Sequence, residues 1–408
     1  MKINFYIKTA FFYFVLIAFI GTVLRLMPIV DLPFNYKFLL HTHSHLAFLG
    51  WVYTALFAAF VSSFLTEEQQ TNKSYKQQFI LAQAATIGML FSFPFQGYGA
   101  ISITFSTLHI LIYYWFATKF LKDVKQNIFI SNTVRNFIKA AFLFMIISSL
   151  GPFSLGPIMA KTGQGSSLYY NAIYFYLHFQ YNGWFTFSIF ALLFHLFEIK
   201  QIHYNKQYAK LFFCLLFIAC IPSYFLSVLW TQPSSLFYVI ALVSSILQLF
   251  ALLYFILLVL ELKSKITKTV FAWSKFLALI VLLSFSLKII LQLFSAFPYF
   301  ADLAYKLHDL IIAYLHLVLI GFVTFFLMAY FIERNLLKLN GYTKTGLAFL
   351  LLGFFAIELI LVAQSSLFWL HLGSLPYYSY LLVSASLITI AAAVLIFFKH
   401  NDADHVSN

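Results

Sequence analysis

Charged residues are scarce in this chain. They make up 9% of its 408 residues, hydrophobic residues make up 62%, and only 12 residues are acidic. A soluble domain carries about 25% charged residues, so the composition excludes that class. Apolar segments of roughly 20 residues are long enough to cross a bilayer as helices. The composition therefore predicts an integral membrane protein whose main partner is the lipid bilayer.

Cysteine is scarce as well. The only two residues, Cys214 and Cys220, lie in one apolar segment. They form no C-x-x-C-H sequence for covalent haem attachment and no zinc-type spacing. We interpret both as packing residues.

Twelve apolar segments are each long enough to span the membrane. They predict an all-α, polytopic integral membrane protein with about 12 transmembrane helices. We expect a single transmembrane domain over residues 1–399, followed by a short tail over residues 400–408. The predicted spans are 8–28, 40–65, 77–97, 99–121, 136–160, 168–198, 207–229, 235–260, 272–296, 304–332, 344–364 and 375–398.

The basic residues fall mostly on one side of these spans. Only Arg25, Lys37, Lys161 and Lys306 fall on the other side, and Lys288 lies within a span. The positive-inside rule then places both termini and the tail in the cytoplasm, as expected for a multi-pass protein of a bacterial-type inner membrane. This topology accounts for the net charge of +13 without a nucleic-acid partner.

One motif, H-x-x-x-x-G followed by an aromatic residue, occurs three times. Its copies begin at His45, His178 and His316, always four spans apart. Ionisable residues inside a span are costly and usually functional, so these histidines are the first candidate site residues. The spacing predicts three pseudo-symmetric four-helix arcs. The corresponding pseudo-repeats are about 1–121, 136–260 and 272–398.

The second span holds two more histidines, in the sequence His41-Thr-His43-Ser-His45. Helix positions four apart share a face, whereas positions two apart point in nearly opposite directions. We therefore expect His41 and His45 to face one cavity and His43 another. A neutral imidazole binds a metal through one nitrogen, and its other nitrogen needs an orienting partner. Haem iron, copper and zinc all remain possible metals for this cluster to bind.

The tenth span carries His308 and Asp309 near one end and His316 deeper in. The two histidines are about 12 Å apart along the helix axis and close to one face. They are therefore candidates for two levels of one metal site. Asp309 is open to two interpretations: a solvated carboxylate at the membrane interface, or a functional group that orients a metal ligand or carries a proton.

This organisation resembles subunit I of the haem-copper oxidase superfamily, which includes nitric oxide reductases. Its basis is twelve spans in three arcs, with histidines on spans two, six and ten. The run from His43 to Trp51 and the run from Leu315 to Gly321 also resemble motifs of the NnrS family, whose haem- and copper-containing membrane proteins are linked to nitric oxide. The likeness in organisation covers most of the chain, whereas identity is confined to the short motifs.

The resemblance implies a haem of the b type, with copper as a second candidate. The haem would be held by His43 or His45 together with His316. Lys288 is the most interesting candidate for neutralising the haem carboxylates; alternatively, its side chain snorkels to the membrane interface. The full set of predicted metal ligands is His41, His43, His45, His178, His308 and His316.

Three departures from the oxidase pattern affect the expected chemistry. The seventh span, from Leu211 to Trp230, has no histidine, so a three-histidine copper site is incomplete. Val318 stands two residues after His316, where the family has a second histidine. The loop between the last two spans contains no arginine. A usual oxygen-reducing centre is therefore not expected.

The sequence thus favours a membrane haem protein in electron transfer or nitric oxide handling. Whether it is an oxidoreductase of the oxidase or nitric oxide reductase kind stays open. Expected partners are an electron donor or other respiratory-complex subunits, with no nucleic acid. Two alternatives remain: a transporter with a histidine-lined site for a metal or substrate, and a structural subunit whose ligands have decayed.

Overall fold

The computed structural model describes residues 3–163 and 165–399. The regular structure in these residues is entirely helical, and 12 helices are long and apolar enough to cross a membrane. This confirms the predicted all-α polytopic membrane fold. Lys2, His400, His405 and the predicted tail lie outside the described residues. The spanning helices are α1 Ile3–Leu26, α2 Tyr36–Phe64, α3 Lys73–Gln96, α4 Ala100–Gln126, α5 Asn132–Thr162, α6 Ser167–Ile199, α7 Lys206–Thr231, α8 Ser235–Thr269, α9 Ala272–Ser295, α10 His308–Glu333, α11 Gly341–Trp369 and α12 Tyr378–Phe398.

Polar side chains fix where the histidine-bearing helices begin. Asn35 Oδ1 accepts hydrogen bonds from the first backbone N–H groups of α2, at 3.0 Å from Lys37. Ser166 caps α6 through a bond of 3.2 Å from Tyr169 N–H. Such caps satisfy backbone donors that have no partner inside the helix. They therefore help to set the depth at which the motif histidines lie.

The helices form two compact units. Unit 1 comprises the described part of Met1–Asp123 and Tyr330–Asn408, and unit 2 is Val124–Ala329. The third predicted pseudo-repeat is divided between them, because α9 and most of α10 belong to unit 2 whereas α11 and α12 belong to unit 1.

Two helices of unit 2 change their hydrogen-bonding pattern part-way. The regular part of α5 is interrupted at Ser149 before the helix continues to Thr162. Helix α7 is α-helical as far as Cys220 and a 3-10 helix from Pro222 to Thr231. Proline has no N–H to donate and disrupts the preceding turn, which explains the change at Pro222.

A carboxylate secures the loop after α6. Glu198 Oε1 accepts hydrogen bonds of 2.6 Å from the Ser131 hydroxyl and 2.6 Å from the Tyr204 hydroxyl. Burial, followed by the hydrogen bond to Glu198, raises the pKa of Tyr204 from 10.0 to about 12. The hydroxyl is therefore protonated and donates at neutral pH.

Replacing Tyr204 with phenylalanine is expected to destabilise unit 2. A hydrogen bond to a charged group contributes about 1.5–3 kcal/mol. Because the folded-state pKa of Tyr204 is raised, its contribution is complete below pH 10.0 and is lost as the pH rises through about 12. Thermal unfolding in detergent at neutral pH measures the effect. Tyr208→Phe, at a tyrosine that shows no hydroxyl hydrogen bond in the described part of the chain, is the control, and equal melting of both variants would refute the prediction.

Candidate functional site

The three histidine motifs share one unusual backbone conformation. In each of them an α-helix runs up to the histidine and is followed directly by a π-helical segment. π-helices account for well under 1% of residues in globular proteins, and they frequently occur at functional sites. The sequence motif is thus repeated as a local structure. The π-helical segments are Leu46–Val52, Phe179–Phe185 and Leu317–Thr324.

A threonine eight residues after the histidine supports two of these segments. The Thr186 hydroxyl donates to the Tyr181 carbonyl at 2.6 Å, and the Thr324 hydroxyl donates to the Leu319 carbonyl at 2.8 Å. Both bonds span five residues, which is the interval of a π-helix. The threonine is therefore a part of the motif that sequence reasoning missed.

The aromatic residue that ends each motif packs against an aromatic residue of the preceding spanning helix. Such ring pairs contribute about 0.5–1.5 kcal/mol beyond their buried area. Each motif is thereby held against the first helix of its predicted repeat. The pairs are Trp51 with Phe14 at 4.9 Å between ring centroids, Trp184 with Phe142 at 5.1 Å, and Phe322 with Phe285 at 5.0 Å.

His45 has one ring nitrogen bound and one available. Its Nδ1 donates to the carbonyl of His41 at 2.9 Å, because a carbonyl oxygen can only accept. Nε2 then carries the lone pair, and it has no hydrogen-bond partner among the described residues. The ring lies against Phe93 at 4.3 Å and Tyr98 at 5.7 Å between centroids. A fixed tautomer with a free Nε2 is the state in which imidazole binds a metal.

The two neighbouring histidines occupy different faces of α2. His41 packs on the same aromatic rings as His45, with its centroid 4.6 Å from that of Tyr98. His43 instead packs on α1 at Gly21, where an added Cβ would lie 2.9 Å from its Cε1 atom. This placement agrees with the faces expected from the spacing. The His43 ring can approach α1 this closely because Gly21 has no side chain.

Unit 1 also contains a fully buried histidine, on α4. His109 is 0% exposed, and neither ring nitrogen has a hydrogen-bond partner within the described ranges. The rings of Tyr53 and Tyr113 lie edge-on to it at 4.9 and 4.8 Å, and it interacts electrostatically with His45. An unsatisfied buried polar group costs about 1–3 kcal/mol. No sequence motif surrounds His109, which is a candidate because it is an ionisable residue within a span, and its complete burial strengthens that interpretation.

His178 differs from His45, because both of its ring nitrogens are engaged. Nε2 donates to the Cys220 carbonyl at 2.8 Å, and Nδ1 accepts from Asn182 Nδ2 at 3.1 Å. The ring is 1% exposed. To bind a metal, His178 would have to give up one of these bonds. In the described arrangement it links α6 to the point where α7 changes its helix type.

Lys288 is buried within unit 2. It is 1% exposed, and its Nζ atom lies 5.6 Å from the centroid of the Phe285 ring. No hydrogen bond or ion pair of its ammonium group is found among the described residues. Electrostatic interactions link it to Cys220 and His178. The side chain therefore does not snorkel to an interface here.

The two remaining predicted ligands lie on α10. His308 is its first residue and is exposed, whereas His316 immediately precedes the π-helical segment and is half-buried. His316 belongs to unit 2, whereas His41, His43 and His45 belong to unit 1. The predicted pairing of His45 with His316 joins residues of different units and stays a prediction.

Two clefts lie away from these histidines. One, of about 460 Å³, is lined by Gly88, Phe91 and Phe105 among others in unit 1. The other, of about 440 Å³, is lined by residues of unit 2 that include Trp230 and Asp302. None of the predicted ligands lines either cleft. Within residues 3–163 and 165–399, no group of three or more His, Cys, Asp or Glu residues is placed to hold a metal ion.

No family model matches the chain, and no curated protein matches it. The likeness to the oxidases and to the NnrS family therefore rests on the short histidine motifs. The strongest chemical features of the described structure are the free Nε2 of His45, the unpartnered ring of His109, and the buried Lys288.

Proposed function

We propose that this multi-pass membrane protein binds a b-type haem through Nε2 of His45 and acts in electron transfer or nitric oxide handling. The observation that carries the proposal is the orientation of His45 by the His41 carbonyl, at 2.9 Å from Nδ1. Bound there, haem would supply one-electron transfer or nitric oxide binding.

Aromatic side chains beside His45 support the proposal. Phe93 and Tyr98 supply flat aromatic surface next to the ring, as a buried macrocycle needs. The chain has no C-x-x-C-H sequence, so the haem would be held by coordination and packing alone.

A second histidine could also hold the haem, and two histidines are candidates for that role. The repeated motif favours His316, and the resemblance to known families points to the same residue. His109 is an alternative within unit 1, because both of its ring nitrogens lack partners and it interacts with His45. Copper at His41 is a second candidate cofactor, since imidazole suits copper as well as iron.

The proposed setting follows from the distribution of charge. We place the chain in a bacterial-type inner membrane with both termini in the cytoplasm, because most of its cations lie on that side of the spans. An electron donor or other subunits of a respiratory complex are the proposed partners. An oxidase or nitric oxide reductase activity would depend on such a donor.

Transport is the second candidate function. It is favoured by the irregular helices, namely the π-helical segments of α2, α6 and α10 and the 3-10 segment of α7. Irregular backbone at membrane depth lines cavities or substrate paths in transporters. A transporter would use the histidines without a porphyrin.

Cofactor analysis of the purified protein tests the proposal. The protein is produced in a haem-replete host, and haem, iron, copper and zinc are measured per polypeptide. We expect haem and iron in equal amounts, and a change in the absorption spectrum on addition of nitric oxide if one axial position is open. Protein that contains neither haem nor iron and takes up no added haem would refute the proposal and leave transport as the leading function.

A further inference from the structure

One cleft of unit 2 combines aromatic rings with a carboxylate. Its volume of about 440 Å³ lies within the range of about 300–1,000 Å³ that is usual for small-molecule sites. The last turn of α7, the first turn of α8 and the short helix Pro298–Lys306 line this aromatic cleft. The lining includes three aromatic residues and one acidic residue, namely Trp230, Tyr238, Tyr299 and Asp302.

The aromatic cleft lies where spanning helices end. Helix α7 ends at Thr231, α8 begins at Ser235, and the short helix follows the end of α9 at Ser295. Under the proposed topology this end of the three helices faces away from the cytoplasm. A ligand can therefore reach the cleft from water or from the head-group region of the bilayer. Tryptophan and tyrosine are enriched at such boundaries, so the rings alone do not indicate a ligand.

Trp230 is held rigidly by its neighbours. Its ring stacks on Tyr305 at 5.3 Å between centroids, and the rings of Tyr170 and Tyr174 lie edge-on to it at 6.2 Å each. Its Nε1 donates to Asn171 Oδ1 at 3.2 Å. A preorganised group loses little freedom when a ligand binds. Aromatic faces attract cations, and tryptophan attracts them most strongly, so the cleft offers a fixed surface for a cation.

Asp302 supplies the negative charge. Its Oδ2 pairs with Lys306 Nζ at 2.7 Å, whereas its Oδ1 has no hydrogen-bond partner among the described residues. The two side chains are 41% and 68% exposed, and exposed pairs four residues apart on a helix are weak. Lys306 itself does not line the cleft. The carboxylate thus attracts one ammonium group from outside the cleft and can receive another from within it.

We propose that the aromatic cleft binds an organic ammonium ion, which contacts the aromatic rings and is neutralised by Asp302. A quaternary ammonium group fits best, because it has no N–H group to satisfy and its methyl groups contact ring faces. The floor of the cleft is apolar, since Leu229 belongs to a buried cluster with Ala241, Ala296 and Ala301. Soluble amines and the head groups of phospholipids both carry this chemical group.

Saturation-transfer NMR with choline as the probe tests the proposal. The intact protein is held in maltoside micelles, which contain no ammonium groups, and transfer to the choline methyl protons is followed as choline is added. The uncharged carbon isostere of choline has the same shape without the charge. We expect saturable binding of choline, about tenfold tighter than that of the isostere. Equal binding of the two, or no binding of choline, would overturn the proposal without recourse to any variant.

The charge of the cleft supplies the second test. Asp302→Asn keeps the size of the side chain, and we expect it to weaken choline binding about tenfold. Asp31→Asn is the matched control, because Asp31 is an exposed carboxylate of unit 1, outside the cleft. Lys306→Met removes the competing ammonium group and should tighten binding about twofold. Choline binding that is the same in Asp302→Asn and Asp31→Asn, or weaker in Lys306→Met, would overturn the role of Asp302.

The aromatic wall supplies a third test. Tyr299 is 59% exposed, so its replacement should leave the fold intact. Tyr299→Phe keeps the ring face and is expected to bind choline as the wild type does, whereas Tyr299→Leu is expected to bind it several-fold more weakly. Equal choline binding by the two variants would contradict the contact with the ring.

Native mass spectrometry distinguishes the two sources of the ammonium group. The purified protein is mixed with equal amounts of phosphatidylethanolamine, whose head group carries an ammonium, and phosphatidylglycerol, whose head group does not. Preferential retention of phosphatidylethanolamine that is lost in Asp302→Asn would support a lipid ligand. Saturable choline binding without a lipid preference would support a soluble amine.

This inference goes beyond the proposed haem function and does not depend on it. The proposed haem ligand His45 lies in unit 1, and the aromatic cleft lies in unit 2. A colourless protein that binds choline would retain the cleft as a site, and a haem protein that binds no choline would retain only the haem.

Discussion

Replacing His45 with alanine is expected to remove most of the haem from the purified protein. Loss of an orienting partner of a metal ligand typically costs 10–100-fold in metal affinity, so loss of the ligand itself should lower haem occupancy on the order of tenfold or more. The measurement is the haem content per polypeptide from the Soret absorbance. His203→Ala is the control, because His203 is exposed in the loop after α6.

His41 makes this test sharper. Its backbone carbonyl, not its ring, accepts the hydrogen bond from His45 Nδ1, so His41→Ala keeps that bond. We expect His41→Ala to retain haem and His45→Ala to lose it. Equal haem content in His45→Ala and His203→Ala would contradict the assignment of His45, and loss of haem in His41→Ala would show that the His41 ring itself binds the cofactor.

Replacing Gly183 with alanine is expected to destabilise the protein strongly. A Cβ atom at Gly183, in the second motif, would lie 2.4 Å from the Cβ of Phe144 on α5. Because both atoms are attached directly to the backbone, a helix must shift to relieve the contact. Overpacking a core in this way typically costs about 1–3 kcal/mol. Thermal unfolding in detergent measures the loss.

Gly156→Ala is the matched control. Gly156 also lies in a spanning helix of unit 2, and nothing lies within 4 Å of a Cβ built there. Alanine has the higher helix propensity, by about 0.8–1.0 kcal/mol in a helix interior, so this variant should melt at the same temperature as the wild type or higher. If Gly183→Ala melted with Gly156→Ala, the close approach of α5 to the second motif would be wrong.

Most of the fold was predictable, because an apolar segment of sufficient length predicts each spanning helix. The predicted bounds of the spans differ from the structure where polar residues extend a helix or where a proline starts one. Helix α8 continues to Thr269, beyond the predicted end at 260, since helix formation does not stop where the apolar segment ends. The predicted tenth span began at 304, but Pro298 starts a separate short helix, and α10 begins after Leu307, whose φ of −102° and ψ of 83° are not helical.

The faces on which the α2 histidines lie were predictable, but the hydrogen bonding and burial of the candidate residues were not. The spacing within His41-Thr-His43-Ser-His45 correctly separated two faces of α2. The hydrogen bond from His178 to the Cys220 carbonyl could not be predicted from the sequence, because it depends on where Pro222 ends the α-helical part of α7. The burial of Lys288 was not readable either, since its sequence position allows snorkelling equally well.

The π-helical segments could not be predicted from the sequence for a different reason. They are backbone conformations, and the motif of histidine, glycine and aromatic residue has no general link to them. Thr186 and Thr324 were an available signal, because both stand eight residues after a motif histidine. The first motif has Tyr53 at that position, so the sequence comparison alone gives two matches of three.

The reduced-minus-oxidised optical spectrum of the detergent-purified wild-type protein is the most direct test of haem binding by this chain. A Soret band with sharp α and β bands is the expected result, since a buried haem with two histidine ligands is low-spin. A broad spectrum that shifts with nitric oxide would still support haem binding, but with one coordination position open to nitric oxide. A flat spectrum from folded protein that was supplied with haem would contradict the proposed function.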